Sequence, residues 1–427
     1  MLSRSAFRQA TRQSWLQQRR GMAAPASGSF QYQVGEAAGI KIASRDTSGP
    51  IGTIALVAQA GTRYETMPGL AEGLNKYAFK NTDRRTSLRI QRESELLGGS
   101  LISTHTRENL VTGAKFFRDD LPYFVELLAE VASQTSYRSH VMQEEVIPLV
   151  MMDHKKFLAN TLEMALSSVH SLAFHRGLGN TIKPASSTPY TKYLTAESLE
   201  DKWTNEFFGD ARKSPLQQLT SPQSKYYGGE ERISHGSGNS MVIAFSGSSS
   251  PTGASYKPEA AVLAALLGGQ SAIKWSPGFS LLSKATQEAP NMHVATKSNI
   301  YTDAGLVTIA MDGSATDIRS TAGKVVEALK SVAQNISKED FQKAKALAKF
   351  KELEYGQEPR AALELTGAGL VRDNKPYQID DVAKSIDGVT EDKVKKLVKE
   401  ALENKASVSA VGDLYLLPFA EELGLKV

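Results

Sequence analysis

From residue 51 onward the chain alternates short apolar runs with stretches of helical spacing. Residues 51–60 (IGTIALVAQA) form an apolar run closed by Gly61, the pattern of a buried strand. Pro68 precedes residues 69–80, where Leu70, Leu74, Tyr77 and Ala78 recur at helical spacing. Residues 87–97 read as a helix stopped by Gly98 and Gly99. Two strands are predicted next, 100–106 and 109–117, on either side of Arg107 and Glu108. Residues 119–134 (DDLPYFVELLAEVASQ) predict an amphipathic helix. Its acids come first, where they complement the positive end of the helix dipole, and Leu121, Phe124, Leu127, Leu128 and Val131 share one face.

The second half repeats this order. Residues 240–246 (SMVIAFS) predict a strand and 259–267 a helix stopped by Gly268 and Gly269. Strands over 290–299 and 305–312 follow, then a second amphipathic helix over 316–334. Each half thus reads strand, turn, strand, acidic cap, helix. Identity between the halves is weak and the pattern is shared, as a duplicated α+β unit requires. The polar, glycine-rich stretch GGEERISHGSGNS at 228–240 has the composition of a linker between the copies.

Charge changes the picture at one end. The net charge is +4, yet residues 1–30 hold Arg4, Arg8, Arg12, Arg19 and Arg20 with no acid. Without those five the body is near −1, so no cationic groove for nucleic acid needs explaining. An arginine-rich, serine-containing, acid-free leader has the composition of a mitochondrial transit peptide. Three of its arginines recur every four residues on one helical face. The expected division is therefore 1–29 leader, 30–227 first domain, 228–240 linker and 241–427 second domain. No apolar run reaches the ~18–20 residues of a membrane span.

Candidate chemistry is sparse. The 427 residues include no cysteine, which excludes disulfides, thiolate metal sites, iron–sulfur ligation and a cysteine nucleophile. A helical zinc pair needs two histidines three or four apart. The closest of the seven histidines, His170 and His175, are five apart and point to different faces. No phosphate loop, G-x-S-x-G or H-E-x-x-H pattern occurs.

The segment at 61–86, GTRYETMPGLAEGLNKYAFKNTDRRT, resembles the signature region of the pitrilysin-type (inverzincin) metallopeptidases. Further stretches fit that family in order: GGSLISTHTREN at 98–109, AFHRGLGNTIKP at 173–184, and the closing helix and V-G-D-L strand within 386–418. The resemblance implies an α+β fold of two homologous domains, each a mainly antiparallel sheet with helices packed on one face. In active members H-x-x-E-H supplies two zinc ligands and a general base. At those places this chain has Glu72, Asn75 and Lys76. The third ligand, a downstream glutamate, falls at Val150. An amide cannot act as the base, and a lysine cation repels a dication. The resemblance therefore implies a non-catalytic protein with no catalytic residue, metal or cofactor of its own.

Inactive members with mitochondrial leaders are either core proteins of the cytochrome bc1 complex (complex III) or the alpha-type, presequence-binding subunit of the mitochondrial processing peptidase. The latter carries a long, glycine-dense loop. The corresponding segment here, LLGGQSAIKWSPGFSLLSKAT at 266–286, is stiffer, with Trp275 and Pro277, and resembles the core proteins. Implied partners are core subunit 1, cytochrome b, cytochrome c1 and the Rieske protein in a dimeric complex. The implied place is the matrix side of the inner membrane, held peripherally through those subunits.

Overall fold

The structure is a computed structural model, and it describes residues 31–37, 39–46, 49–183, 194–201, 223–253, 255–270, 278–289 and 291–427. The expected leader at 1–29 and the pair Trp275 and Pro277 lie outside the described residues. Strands β1 (Gln33–Ala37) and β2 (Ile40–Ser44) make an antiparallel ribbon. Then come β3 (Ile51–Ala58), α1 (Leu70–Tyr77), α2 (Ser87–Leu96), β4 (Ser100–His105), β5 (Leu110–Phe117) and α3 (Leu121–Ser133). Helices α4 (Ile147–Ala159), α5 (Thr161–Phe174) and α6 (Ala196–Asp201) end the first half. The second half runs β6 (Gly229–Ser234), β7 (Asn239–Ser246), α7 (Glu259–Leu267), α8 (Leu281–Ala285), β8 (His293–Ile300), β9 (Gly305–Gly313) and α9 (Ala315–Gln334). It closes with α10 (Lys338–Gln357), α11 (Pro359–Asp373), α12 (Ile379–Asp387), α13 (Glu391–Glu403) and β10 (Ser407–Gly412).

Local chemistry sets many of these boundaries. Thr86, Asn160 and Ser314 start α2, α5 and α9 by accepting a hydrogen bond from the backbone N–H three residues on. The duplication is visible in the sheets: β3-β5-β4 and β7-β9-β8 have the same antiparallel order. The second sheet gains β10, antiparallel to β7, and β6, parallel to β10. Residues 229–234, expected within a linker, are thus an edge strand. Their charged side chains suit a half-exposed edge, and the glycines form the turn beyond them, with Gly238 at φ 83°.

Period-two alternation divides each sheet between two cores. Met241, Ile243 and Phe245 point into one core with Val307, Ile309, Ile318 and Val325, while Val242 and Ala244 point into another with Ala165, Val169 and Phe174. The second core belongs to α5, so a helix from the first half covers the far face of the second sheet. The exchange is mutual, because α11 packs on β3 of the first sheet. A Cβ at Gly367 would lie 2.5 Å from Val57, so α11 approaches the strand only through a bare glycine backbone. Helices therefore lie on both faces of each sheet: those of its own half pack on one face, as expected, and a helix from the other half covers the other. Each sheet has apolar side chains on both faces and both must be covered. The α+β class itself stands.

The halves also meet turn to turn. The β4–β5 turn presents Glu108 and the β8–β9 turn presents Thr302 and Asp303. Arg63 joins them, with Glu108 at 2.7 Å and both oxygens of Asp303 at 2.7 and 2.8 Å. Glu108 also accepts from the backbone N–H of Thr302 at 3.0 Å. Beside this joint lies a cavity of about 810 Å³ whose walls include Arg107, Lys297, Lys351, Glu352, Glu364 and Tyr377. No helix among the described residues is long and apolar enough to cross a membrane.

Candidate functional site

Helix α1 carries three of the four positions singled out in the sequence. Its start is fixed by Glu65, whose carboxylate accepts from the backbone N–H of Ala71 at 2.7 Å and of Gly69 at 3.4 Å. Gly69 has φ 90°, which a side chain resists. Leu70, Leu74 and Tyr77 bury one face of α1 against Val146, Val150 and Leu199. Glu72, Asn75 and Lys76 are left on the faces toward β4 and the polar side of α4.

Val150 is wholly buried in that apolar cluster. The α4 side chain that reaches α1 is Asp153, one helical turn further on, which pairs with Lys76. A carboxylate therefore does stand at this site from α4, three residues beyond the expected position. The rest of the cluster was not legible in the sequence. Lys183 donates to Glu72 at 2.6 Å and lies 3.6 Å from Asp153. Glu72, Lys76, Asp153 and Lys183 thus form a quartet of two anions and two cations whose formal charges cancel. Asp153 could have been suspected from its i+3 relation to Val150. Lys183, 111 residues from Glu72, carries no local signal.

The quartet's environment is uneven. The Glu72 side chain is fully buried, and burial pushes its carboxyl above the usual range while Lys183 and Lys76 pull it back. Its Oε2 is buried with no hydrogen-bond partner among the described residues. Asp153, partly exposed, is held below its usual value, chiefly by its hydrogen bond from Lys76.

A neutral relay runs alongside. Ser103 Oγ donates to Asn75 Oδ1 at 2.7 Å, and Asn75 Nδ2 lies 3.1 Å from His105 Nδ1. His105 Nε2 is 3.3 Å from the Ile182 carbonyl. Because a carbonyl only accepts, Nε2 carries the proton and Nδ1 accepts from Asn75. Burial, reinforced by Lys183 and Lys76, pushes the imidazole down to about 4, so it is neutral. Asn75 is held at both ends of its amide and has no proton to take up.

The other histidines lie elsewhere. His170, inside α5, accepts from Tyr301 at Nε2 (2.8 Å) and donates from Nδ1 to the Leu166 carbonyl (2.6 Å). Burial pushes it down to about 3. His175 is exposed and stacks on Tyr227, with ring centroids 4.0 Å apart. Among the described residues no three His, Asp or Glu side chains converge as a metal would require.

A unit of one strand order occurring twice, with a helix–strand polar site in the first copy, defines a tandem peptidase-like scaffold. Comparison with known proteins agrees: residues 41–185 match the insulinase family (peptidase family M16), and residues 195–347 match the peptidase M16 inactive domain. The chain is 44% identical to cytochrome b-c1 complex subunit 2, mitochondrial, of Neurospora crassa, over 96% of this chain and 95% of that one. The proteins of that name from Schizosaccharomyces pombe and Yarrowia lipolytica are each 32% identical, over 92% and 95% of this chain and 95% and 99% of theirs. The chain belongs to the M16 peptidase family, in the branch of the cytochrome b-c1 complex subunit 2 proteins.

Proposed function

We propose that the chain is a non-catalytic structural core subunit, core subunit 2, of the mitochondrial ubiquinol–cytochrome c reductase. The observation that carries the non-catalytic part is the quartet. Two lysine ammonium groups, from Lys76 and Lys183, are seated among the carboxylates of the candidate site. A bound dication would have to displace both and would meet their charge at close range. The position of a general base holds Asn75, which is engaged at both ends. Glu72, Asn75, Lys76 and Val150 are accordingly the places where a peptidase's ligands and base have been replaced.

The relatives' names support membership of complex III and a mitochondrial location. Core subunit 1 is the proposed direct partner, with cytochrome b, cytochrome c1 and the Rieske protein in the same dimeric assembly. With no membrane-crossing helix among the described residues, attachment through those subunits on the matrix side fits.

Native purification from mitochondria in mild detergent tests this reading. The expected result is co-purification with a haem-absorbing complex of several hundred kilodaltons, and no stoichiometric zinc in the isolated chain by atomic spectroscopy. A soluble heterodimer that cleaves presequences, or one zinc per chain, would overturn it.

A further inference from the structure

We propose that residues 178–183 are a strap that shuts the candidate site, and that Lys183 is the tethered cation that keeps it shut. The inference deepens the non-catalytic reading and rests on it. The strap leaves α5, which packs on the second sheet, and crosses to the first half. There three of its carbonyls and two of its side chains are engaged. Arg107 donates to the carbonyls of Leu178 (3.0 Å) and Asn180. The Asn180 amide donates to the Thr62 carbonyl at 2.9 Å, and His105 donates to that of Ile182. Lys183 then plants its ammonium between α1 and α4, on Glu72 and Asp153.

The physical logic is substitution. A metal ion cross-links the elements that ligate it, and without one two carboxylates on neighbouring helices repel. A lysine delivered by a third segment neutralises them, joins α1 to α4 and brings its own backbone onto His105, which in turn holds Asn75. A site closed this way excludes an extended peptide from the α1 face, as an autoinhibitory segment would. Glu72 is wholly buried under this arrangement, whereas Lys183 keeps 23% of its side chain exposed. Salt therefore reaches the latch from outside.

This chain has no cysteine, so any introduced thiol is the only one it carries and its labelled peptides are unambiguous. Asn75→Cys places a thiol beside His105, the residue that the strap's Ile182 carbonyl meets. Ser94→Cys places one in the buried face of α2 and reports global opening. Each is assembled into the native complex with and without Lys183→Met, and maleimide labelling is followed by mass spectrometry. Losing Lys183 is expected to speed labelling at position 75 at least tenfold and to leave position 94 within twofold. Lys183→Arg, which keeps the cation, is expected to label slowly at both. If Lys183→Met does not accumulate, the Asn75→Cys protein alone decides the matter: raising salt from 0.05 to 0.5 M should speed labelling there and not at position 94 (on the order of the change from weak to strong screening). A rate at position 75 indifferent to both Lys183 and salt overturns the strap, and so does a rise shared equally by position 94. Neither outcome depends on which complex the protein joins, so failure here is distinct from failure of the assignment above.

Discussion

Arg63 grips Asp303 with two parallel hydrogen bonds, 2.7 and 2.8 Å long, between residues 240 apart in sequence. The planar guanidinium matches the carboxylate edge to edge, and it holds Glu108 at the same time. The Arg63 side chain is 2% exposed and that of Asp303 9%, so little water screens the pair. The joint between the halves is therefore charged, paired and nearly dry.

Removing one partner from such a joint leaves a buried charge. Asp303→Asn keeps the shape and removes the anion, and should cost about 3 kcal/mol, the lower end for a broken buried pair because Glu108 remains. Denaturant unfolding of the two proteins measures it. The pH dependence has a definite sign. Asp303 is held at about 2 against an ordinary 3.8; burial opposes the ionised form, and Arg63 and the Ser224 N–H more than offset it. The folded state thus binds fewer protons than the unfolded state in between, so the pair's contribution is full above pH 3.8 and fades as pH falls through 2. The stability gap between wild type and Asp303→Asn should be constant above pH 4 and shrink between 4 and 2.

Two glycines make opposite predictions. At Gly367 a Cβ would lie 2.5 and 2.6 Å from atoms of Val57, so Gly367→Ala must push α11 off β3. The expected cost is about 1–3 kcal/mol, the range for overpacking a tight contact. Gly323, inside α9, has nothing within 4 Å of its Cβ position. Gly323→Ala should stabilise by up to about 1 kcal/mol through helix propensity alone. Thermal unfolding of the two variants in parallel gives the signs.

His105 and His170 should be silent near neutrality. Burial holds them at about 4 and about 3, so proton NMR should show neither ring titrating between pH 8 and 5. Unfolded histidines take up protons below about 6.5 and these two do not. Their folding contribution is consequently full above that pH and declines as pH falls toward the folded values. Stability should rise with pH across 4 to 6.5, and His170→Phe should flatten part of that slope.

Local pattern carried much of the architecture. The run at 51–60, the helical spacing of Leu70, Leu74 and Tyr77, and the glycine stop after 267 each yielded an element within a few residues of its observed bounds. These signals depend on neighbours three or four positions away. Composition misled where two states share it: residues 228–240 look like a linker, and part of them is β6, because its pairing with the distant β10, Gly229 opposite Ser407, decides the outcome. Val150 lies on the buried face of α4, and Asp153, one turn further on, is the residue that faces Lys76.

By itself, the sequence determined the duplicated pattern, the α+β class and the presence of Glu72, Asn75 and Lys76, where the signature it resembles would have histidine and glutamate, since residue identity, resemblance and short-range periodicity suffice for these. Only the tertiary structure decided what fills the place: Lys183 and Asp153 closing on Glu72 and Lys76, helices α5 and α11 crossing to the opposite sheets, and Arg63 holding Asp303. Each of these joins residues from distant parts of the chain or depends on the rotation of a helix about its axis. Such contacts follow from packing, where burial and charge pairing select among partners that no local pattern can name.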